Sequence, residues 1–215
     1  FDYFDAVEIH QAKVRIADST LENNGAHGGG DRNGRVSSDA STIFVLGAQP
    51  VLVNNVIQDN QGAAISTDVQ SLTTNLVPDW GRSTTPPGGY ASLNIDLTAV
   101  PAGTGGPLVP RYSQFDDNYG PLVRLNRIGD DGTNGMVVRG SILETASIWD
   151  DVDIVHVVEG NVTVPNFQSV GGLRIQSSPT QSLVIKMTAG AGFNASGSPG
   201  DISDRIGGEI QILGT

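Results

Sequence analysis

The sequence predicts an all-β fold: a right-handed parallel β-helix, or solenoid, interrupted by loop insertions. Three observations carry that expectation. Val, Ile and Thr dominate the apolar stretches, and their branched side chains suit a pleated strand; runs of Ala, Leu, Glu and Lys that would favour helix are missing. A short text recurs: aliphatic, one residue, then Asn, Asp or Gly, two residues, aliphatic, two residues, Asn. Segments 42–46 and 154–158 are continuously apolar, as expected where a strand is buried on both faces or wound into a tight coil.

The recurrence fixes a register. Laying 14–24 on 51–60 puts Ile16 on Leu52, Asp18 on Asn54, Leu21 on Ile57 and Asn24 on Asn60. A third copy of the first half is expected at Val138, Gly140 and Leu143. A short strand sends alternate aliphatic side chains inward. The chain then turns sharply, and Asn, Asp or Gly tolerates the left-handed backbone of such a corner. A second strand begins on the next aliphatic residue, and parallel pairing lets each coil cover the edge of the one before. Asn24 and Asn60 suit positions where stacked amides hydrogen-bond along the axis. An antiparallel sandwich with Asn-rich turns is the alternative. It calls for clean alternation and hairpin loops of about 2–5 residues, which this text lacks.

In order along the chain, residues 1–147 read as coils with insertions at about 26–41, 77–91 and 99–121. The first insertion holds Gly28, Gly29, Gly30 and Gly34, the second Pro78, Pro86 and Pro87, the third Pro101, Pro107 and Pro110. Residues 148–215 read as a continuing β-rich repeat block, with strands expected at 152–158, 161–164, 171–176, 182–187 and 208–213. The chain starts at Phe1 and stops at Thr215 in strand-like text, so both ends read as cuts through a longer polypeptide.

Composition narrows the chemistry. A formal net charge of −11 repels phosphate backbones and argues against a nucleic-acid partner, while it suits Ca²⁺ as well as plain solubility. With no Cys, disulfide scaffolds, zinc–thiolate sites and thiol catalysis are closed. No apolar run approaches the roughly 18 residues of a membrane span.

Several stretches of the last third carry a resemblance: Ile148 to His156, Val164 to Phe167, Gly171 to Thr180, Ser182 to Lys186 and Asp201 to Gly208. In this order they resemble a block of very large, secreted, repeat-containing proteins of planctomycete-type bacteria. The coils before them resemble the pectin-lyase-like right-handed β-helix that accompanies that block. The resemblance implies export and an extracellular or cell-surface location. It implies no activity and no functional residues.

Catalytic constellations are weakly represented. A polygalacturonase-type site needs paired carboxylates beside a Gly-His-Gly and an Arg-x-Lys. Here Asn94 and Asp96, and Asp150 with Asp151, have the carboxylate spacings. His27, however, follows Ala26 and precedes every such carboxylate, and Arg174 is followed by Gln176 rather than Lys. Arg124 and Arg139 lie on strand-like text without a lyase motif around them. No Gly-x-Ser-x-Gly elbow exists. His156, beside Asp150, Asp151 and Asp153, is an acid/base candidate whose simpler reading is structural.

Calcium is the better-supported chemistry. Asp130, Asp131 and Asn134 put three oxygen-bearing side chains into a turn bounded by Gly132 and Gly135, although the loop matches neither an EF-hand nor a Gly-Gly-x-Gly-x-Asp repeat. Asp201 and Asp204 form a further acidic pair. Trp80, Tyr90, Tyr112, Phe115 and Tyr119 fall in the insertions, where rings stack on sugars or pack against the solenoid. The expected role is a structural or adhesive β-helical module of a large extracellular or cell-surface bacterial protein. Its expected partners are further segments of that protein, like subunits or carbohydrate. The alternative is a polysaccharide lyase or glycoside hydrolase.

Overall fold

A computed structural model describes residues 5–25, 31–32, 35–36, 40–73, 120–165, 172–178, 180–196 and 208–214. They make an all-β fold built of several small parallel sheets. Nearly all of the three expected insertions lies outside the described residues.

The chain makes successive passes of two or three short strands. The first pass is β1 (Val7–His10), β2 (Arg15–Ala17) and β3 (Thr20–Glu22). A small antiparallel pair follows, β4 (Asp31–Arg32) with β5 (Arg35–Val36). The second pass is β6 (Ser41–Leu46), β7 (Val51–Val53) and β8 (Val56–Gln58). The third is β9 (Ala63–Asp68), a 3-10 turn at Val69–Leu72, β10 (Leu122–Arg124) and β11 (Arg127–Gly129). Next come β12 (Thr133–Arg139) and β13 (Ser147–Trp149), then β14 (His156–Glu159), β15 (Asn161–Val164) and β16 (Leu173–Gln176). The last pass is β17 (Ile185–Met187), β18 (Gly192–Ala195) and β19 (Ile210–Leu213).

Equivalent strands pair across passes. The sheets run β1-β6-β9-β12-β14-β17, β10-β7-β2, β11-β8-β3, β13-β16-β19 and β15-β18. Among the described strands every one of these pairings is parallel. The register read from sequence holds: Ile16 pairs with Leu52 and Leu21 with Ile57. All four belong to one apolar cluster that runs from Ile9 to Ile210. Inward columns are aliphatic: Ile43, Ile65 and Met136 lie in register along the largest sheet. The continuously apolar β6 has a specific reason. Its outward Phe44 is covered by the Arg139 guanidinium, 4.1 Å from the ring centroid, so both faces are buried.

The third copy of the repeat is not where the text suggested. Val138 lies in β12 and pairs with Thr67 and Val158. The true third copy is 122–131, where Val123 pairs with Leu52 and Ile128 with Ile57. Paired residues of the first two passes are 36 apart, whereas those of β7 with β10 and of β8 with β11 are 71 apart. The intervening segment lengthened the period and concealed the match.

The corners explain the Asn and Asp positions. Asp18 (φ +54°) and Asn54 (φ +53°) occupy one left-handed corner, and Asn23, Asp59 and Asp130 (φ +58°, +57° and +56°) the next. In the third pass the first corner falls on Leu125 (φ +56°), whose side chain is 49% exposed. A left-handed backbone costs an ordinary L-residue roughly 1–2 kcal/mol, and Asn bears it more readily. Leu125→Asn is therefore expected to raise stability by about 1 kcal/mol, seen as a higher urea midpoint at unchanged slope.

The last third departs from expectation at its edges. A strand was expected over 152–158, but β14 begins only at His156, because Asp151 Oδ1 accepts from the Asp153 amide at 3.1 Å and holds a turn there. Strand β18 was not foreseen, since its Gly192 and Asn194 read as turn residues.

Candidate functional site

Two side-chain ladders run along the corners of the first three passes. In the first, Asn55 Oδ1 accepts from the Ser19 amide (3.1 Å), and Asn126 Oδ1 accepts from the Asn55 amide and from Asn55 Nδ2 (both 2.9 Å). In the second, Asn60 Oδ1 accepts from the Asn24 amide (3.0 Å) and from Asn24 Nδ2 (2.7 Å). Asp131 Oδ1 accepts likewise from Asn60 (3.0 and 2.7 Å). Each interior amide also donates one strand back: Asn55 to the Ile16 carbonyl, Asn126 to Leu52 and Asn60 to Leu21, at 2.9, 2.7 and 3.2 Å. Both polar ends of a buried amide are thereby satisfied. The sequence placed Asn24 and Asn60 in such a stack. It missed Asn126 and Asp131 because their copy had been misplaced.

The ladder bears on the calcium candidates. Asp131 Oδ1 is engaged by Asn60, and Asn134 Oδ1 accepts from the Asp131 amide at 2.9 Å. Asp130 stands at the left-handed corner with its side chain exposed. Asp131 Oδ2 is buried with no hydrogen-bond partner, and burial pushes the carboxyl above the ordinary aspartate range, helped by Asp59 and Asp130.

Asp131 thus sits where an amide would complete the ladder. Asp131→Asn is expected to stabilise the protein by about 1 kcal/mol at pH 7, the new Nδ2 donating as Asn60 and Asn126 do. A raised folded pKa means that wild-type Asp131 gains stability as pH falls through that pKa. The advantage of the variant should therefore shrink on acidification, which melting temperatures at pH 7 and pH 4 would show.

The acidic cluster of 150–153 closes on itself. Arg124, almost fully buried, sets Nη1 2.6 Å from Asp153 Oδ1. Asp151 Oδ2 accepts from the Val123 amide at 3.0 Å. His156 takes no part. It lies in the inward column between Met136 and Ile185 and stacks on Trp149 at 5.8 Å, with Phe193 edge-on to the far side of the cluster at 5.4 Å from Trp149. Burial lowers its pKa to about 4, the Ile154 backbone acting slightly the other way. Neither ring nitrogen has an atom in hydrogen-bond geometry. Of Arg124, Asp150 and His156, the residues that would first be tested for polysaccharide chemistry, Arg124 pairs with Asp153, Asp150 is buried, and His156 stacks on Trp149 in the core.

Other candidates fall elsewhere. Arg139 donates to Ser66 Oγ and to the Val45 carbonyl, both at 2.6 Å. Arg174 donates to Gln211. His27, Asn94, Asp96, Asp201, Asp204 and the aromatics Trp80, Tyr90, Tyr112, Phe115 and Tyr119 lie outside the described residues. A groove of about 280 Å³ crosses the outer face of the largest sheet, between Ala40, Gln61, Ser66, Thr133 and Glu159. Among the described residues Glu159 supplies the one carboxylate in its lining, whereas glycoside hydrolysis uses two. Among the described residues no three His, Asp or Glu side chains group as a metal site would require. Gly132 lies at the floor of the groove because a Cβ there would stand 2.2 Å from the Gln61 carbonyl of the pass before.

Set against known protein families, curated proteins and solved structures, the chain matches none.

Proposed function

We propose that this chain is a right-handed parallel β-helix serving as a structural or adhesive module of a large exported bacterial protein. The observation that carries the reading is the use of polar residues. Among the described residues, Asn55, Asn60, Asn126 and Asp131 are bonded along the stack, and Arg124 and His156 are buried within it. In register passes, left-handed corners and amide ladders support the solenoid, and the strong right-hand preference of parallel crossovers supports its hand. The resemblance of 148–215 to blocks of secreted planctomycete-type proteins supports export. Among the described residues no helix is long and apolar enough to cross a membrane. Carbohydrate and like subunits are the partners that fit an acidic, extracellular solenoid.

Incubating the full chain with polygalacturonate and other acidic polysaccharides, with and without Ca²⁺, tests the reading. The expected result is strand-rich circular dichroism and no release of unsaturated uronides or reducing ends. Turnover that Glu159→Gln or Arg124→Gln abolishes would establish an enzyme instead.

A further inference from the structure

We infer that His156 makes the passes from β12 to β17 an acid-opened section of the stack, which separates on protonation of the imidazole while the first three passes stay paired. His156 is the one ionisable residue in an inward column that otherwise reads Val7, Ile43, Ile65, Met136 and Ile185. Its ring is fully buried, neither nitrogen meets hydrogen-bond geometry, the Ile154 backbone is the polar group that favours the charged ring, and its flat neighbour is the Trp149 indole. An imidazolium formed there meets no counter-charge.

The charged groups of every element packed against it point elsewhere. On β12 and β14, Arg139 and Glu159 occupy the register three residues on, on the opposite face. Lys186 of β17 pairs with outward Val157. Arg174 of β16, beside β13, is exposed and bonded to Gln211. Asp150, Asp151 and Asp153 lie on the approach to β14: Asp151 accepts from Val123, Asp153 pairs with Arg124, and buried Asp150, directly after Trp149, makes no hydrogen bond to the His156 ring. From β18 it is Phe193 that reaches the Trp149 ring.

Stability along a stack of this kind is local, so a buried charge acts on the passes it touches. The ladders Ser19–Asn55–Asn126 and Asn24–Asn60–Asp131 hold the first three passes at two corners. A histidine with a pKa of about 4 when enclosed and near its free value, about 6.5, when released binds its proton preferentially in the opened form. The closed form is fully favoured above that free value and loses ground as pH falls toward 4. The opened population then rises about a hundredfold between pH 7 and pH 4.

Native-state hydrogen exchange of the full chain, corrected for intrinsic rates, tests this. Protection at Met136–Val138, His156–Val158 and Ile185–Met187 should fall about a hundredfold from pH 7 to pH 4. Protection at Ile43, Leu52 and Ile57 should hold. His156→Met, matching the neighbouring Met136, should remove the difference. Loss of protection everywhere at once, or the same acid response in His156→Met, would overturn the inference. NMR titration of the His156 ring in the unmodified protein gives an independent reading: the ring should stay neutral well below pH 6, and titration near 6.5 with exchange protection intact would also overturn it.

Discussion

Leu52→Asp is expected to abolish cooperative folding. Leu52 is completely buried and lies between Ile16 and Val123 in one inward column. Truncating a buried Leu costs about 2–5 kcal/mol, and an unpaired carboxylate in the same place adds several more. Whole domains hold only about 5–15 kcal/mol, so the sum reaches the range of total stability. Leu52→Met, which keeps volume and polarity, should cost less than about 1.5 kcal/mol. The pair separates loss of the column from a general sensitivity of the site. A cooperative urea transition in Leu52→Asp near that of the wild type would show that Leu52 does not face the interior.

Asn60→Ala is expected to cost about 2–4 kcal/mol, the largest effect of any ladder residue. Its amide makes bonds in both directions, accepting from Asn24 and donating to Leu21 and Asp131. Its loss leaves the half-buried Asn24 amide and Leu21 carbonyl without this partner and takes one of two donors from the Asp131 carboxylate. Asn24→Ala, at the end of the same ladder, removes one rung and should cost about 1 kcal/mol or less. Urea midpoints of the two variants measure the contrast. Equal effects would mean that the ladder is a set of independent surface contacts.

The sequence showed the strand chemistry, the register of the first two passes and the Asn24–Asn60 stack, because each follows from residue type at short range. Aliphatic residues two apart face one way, and Asn or Asp marks a left-handed corner. What it concealed depended on distance along the chain. Strands β10 and β11 sit 71 residues beyond β7 and β8 rather than 36, so Asn126 and Asp131 fall out of phase with Asn55 and Asn60. Leu125 broke the residue rule at the first corner of that copy, although Asp130 keeps it at the second. The role of Asp131 as the ladder's last rung is visible only once it lies beside Asn60. The structural reading of His156 agrees with its burial, yet the text gave no sign of the Trp149 stack, which joins β13 to β14 across a turn.

The account rests on consecutive passes lying in parallel register, and the absence of Cys makes that directly measurable. Glu22, Gln58 and Gly129 are register partners at successive rungs of one sheet, and Gly129 has open space where a Cβ would go. Neighbouring strands lie about 4.8 Å apart, within the roughly 4.4–6.8 Å Cα separation of a disulfide, whereas two rungs span about 9–10 Å. Double cysteine variants at 22 and 58, at 58 and 129, and at 22 and 129 should be oxidised under one mild condition and scored by non-reducing gel mobility and mass. The stacked arrangement predicts an intramolecular disulfide in the first two and almost none in the third. Efficient bonding between 22 and 129, or none between 22 and 58, would contradict it.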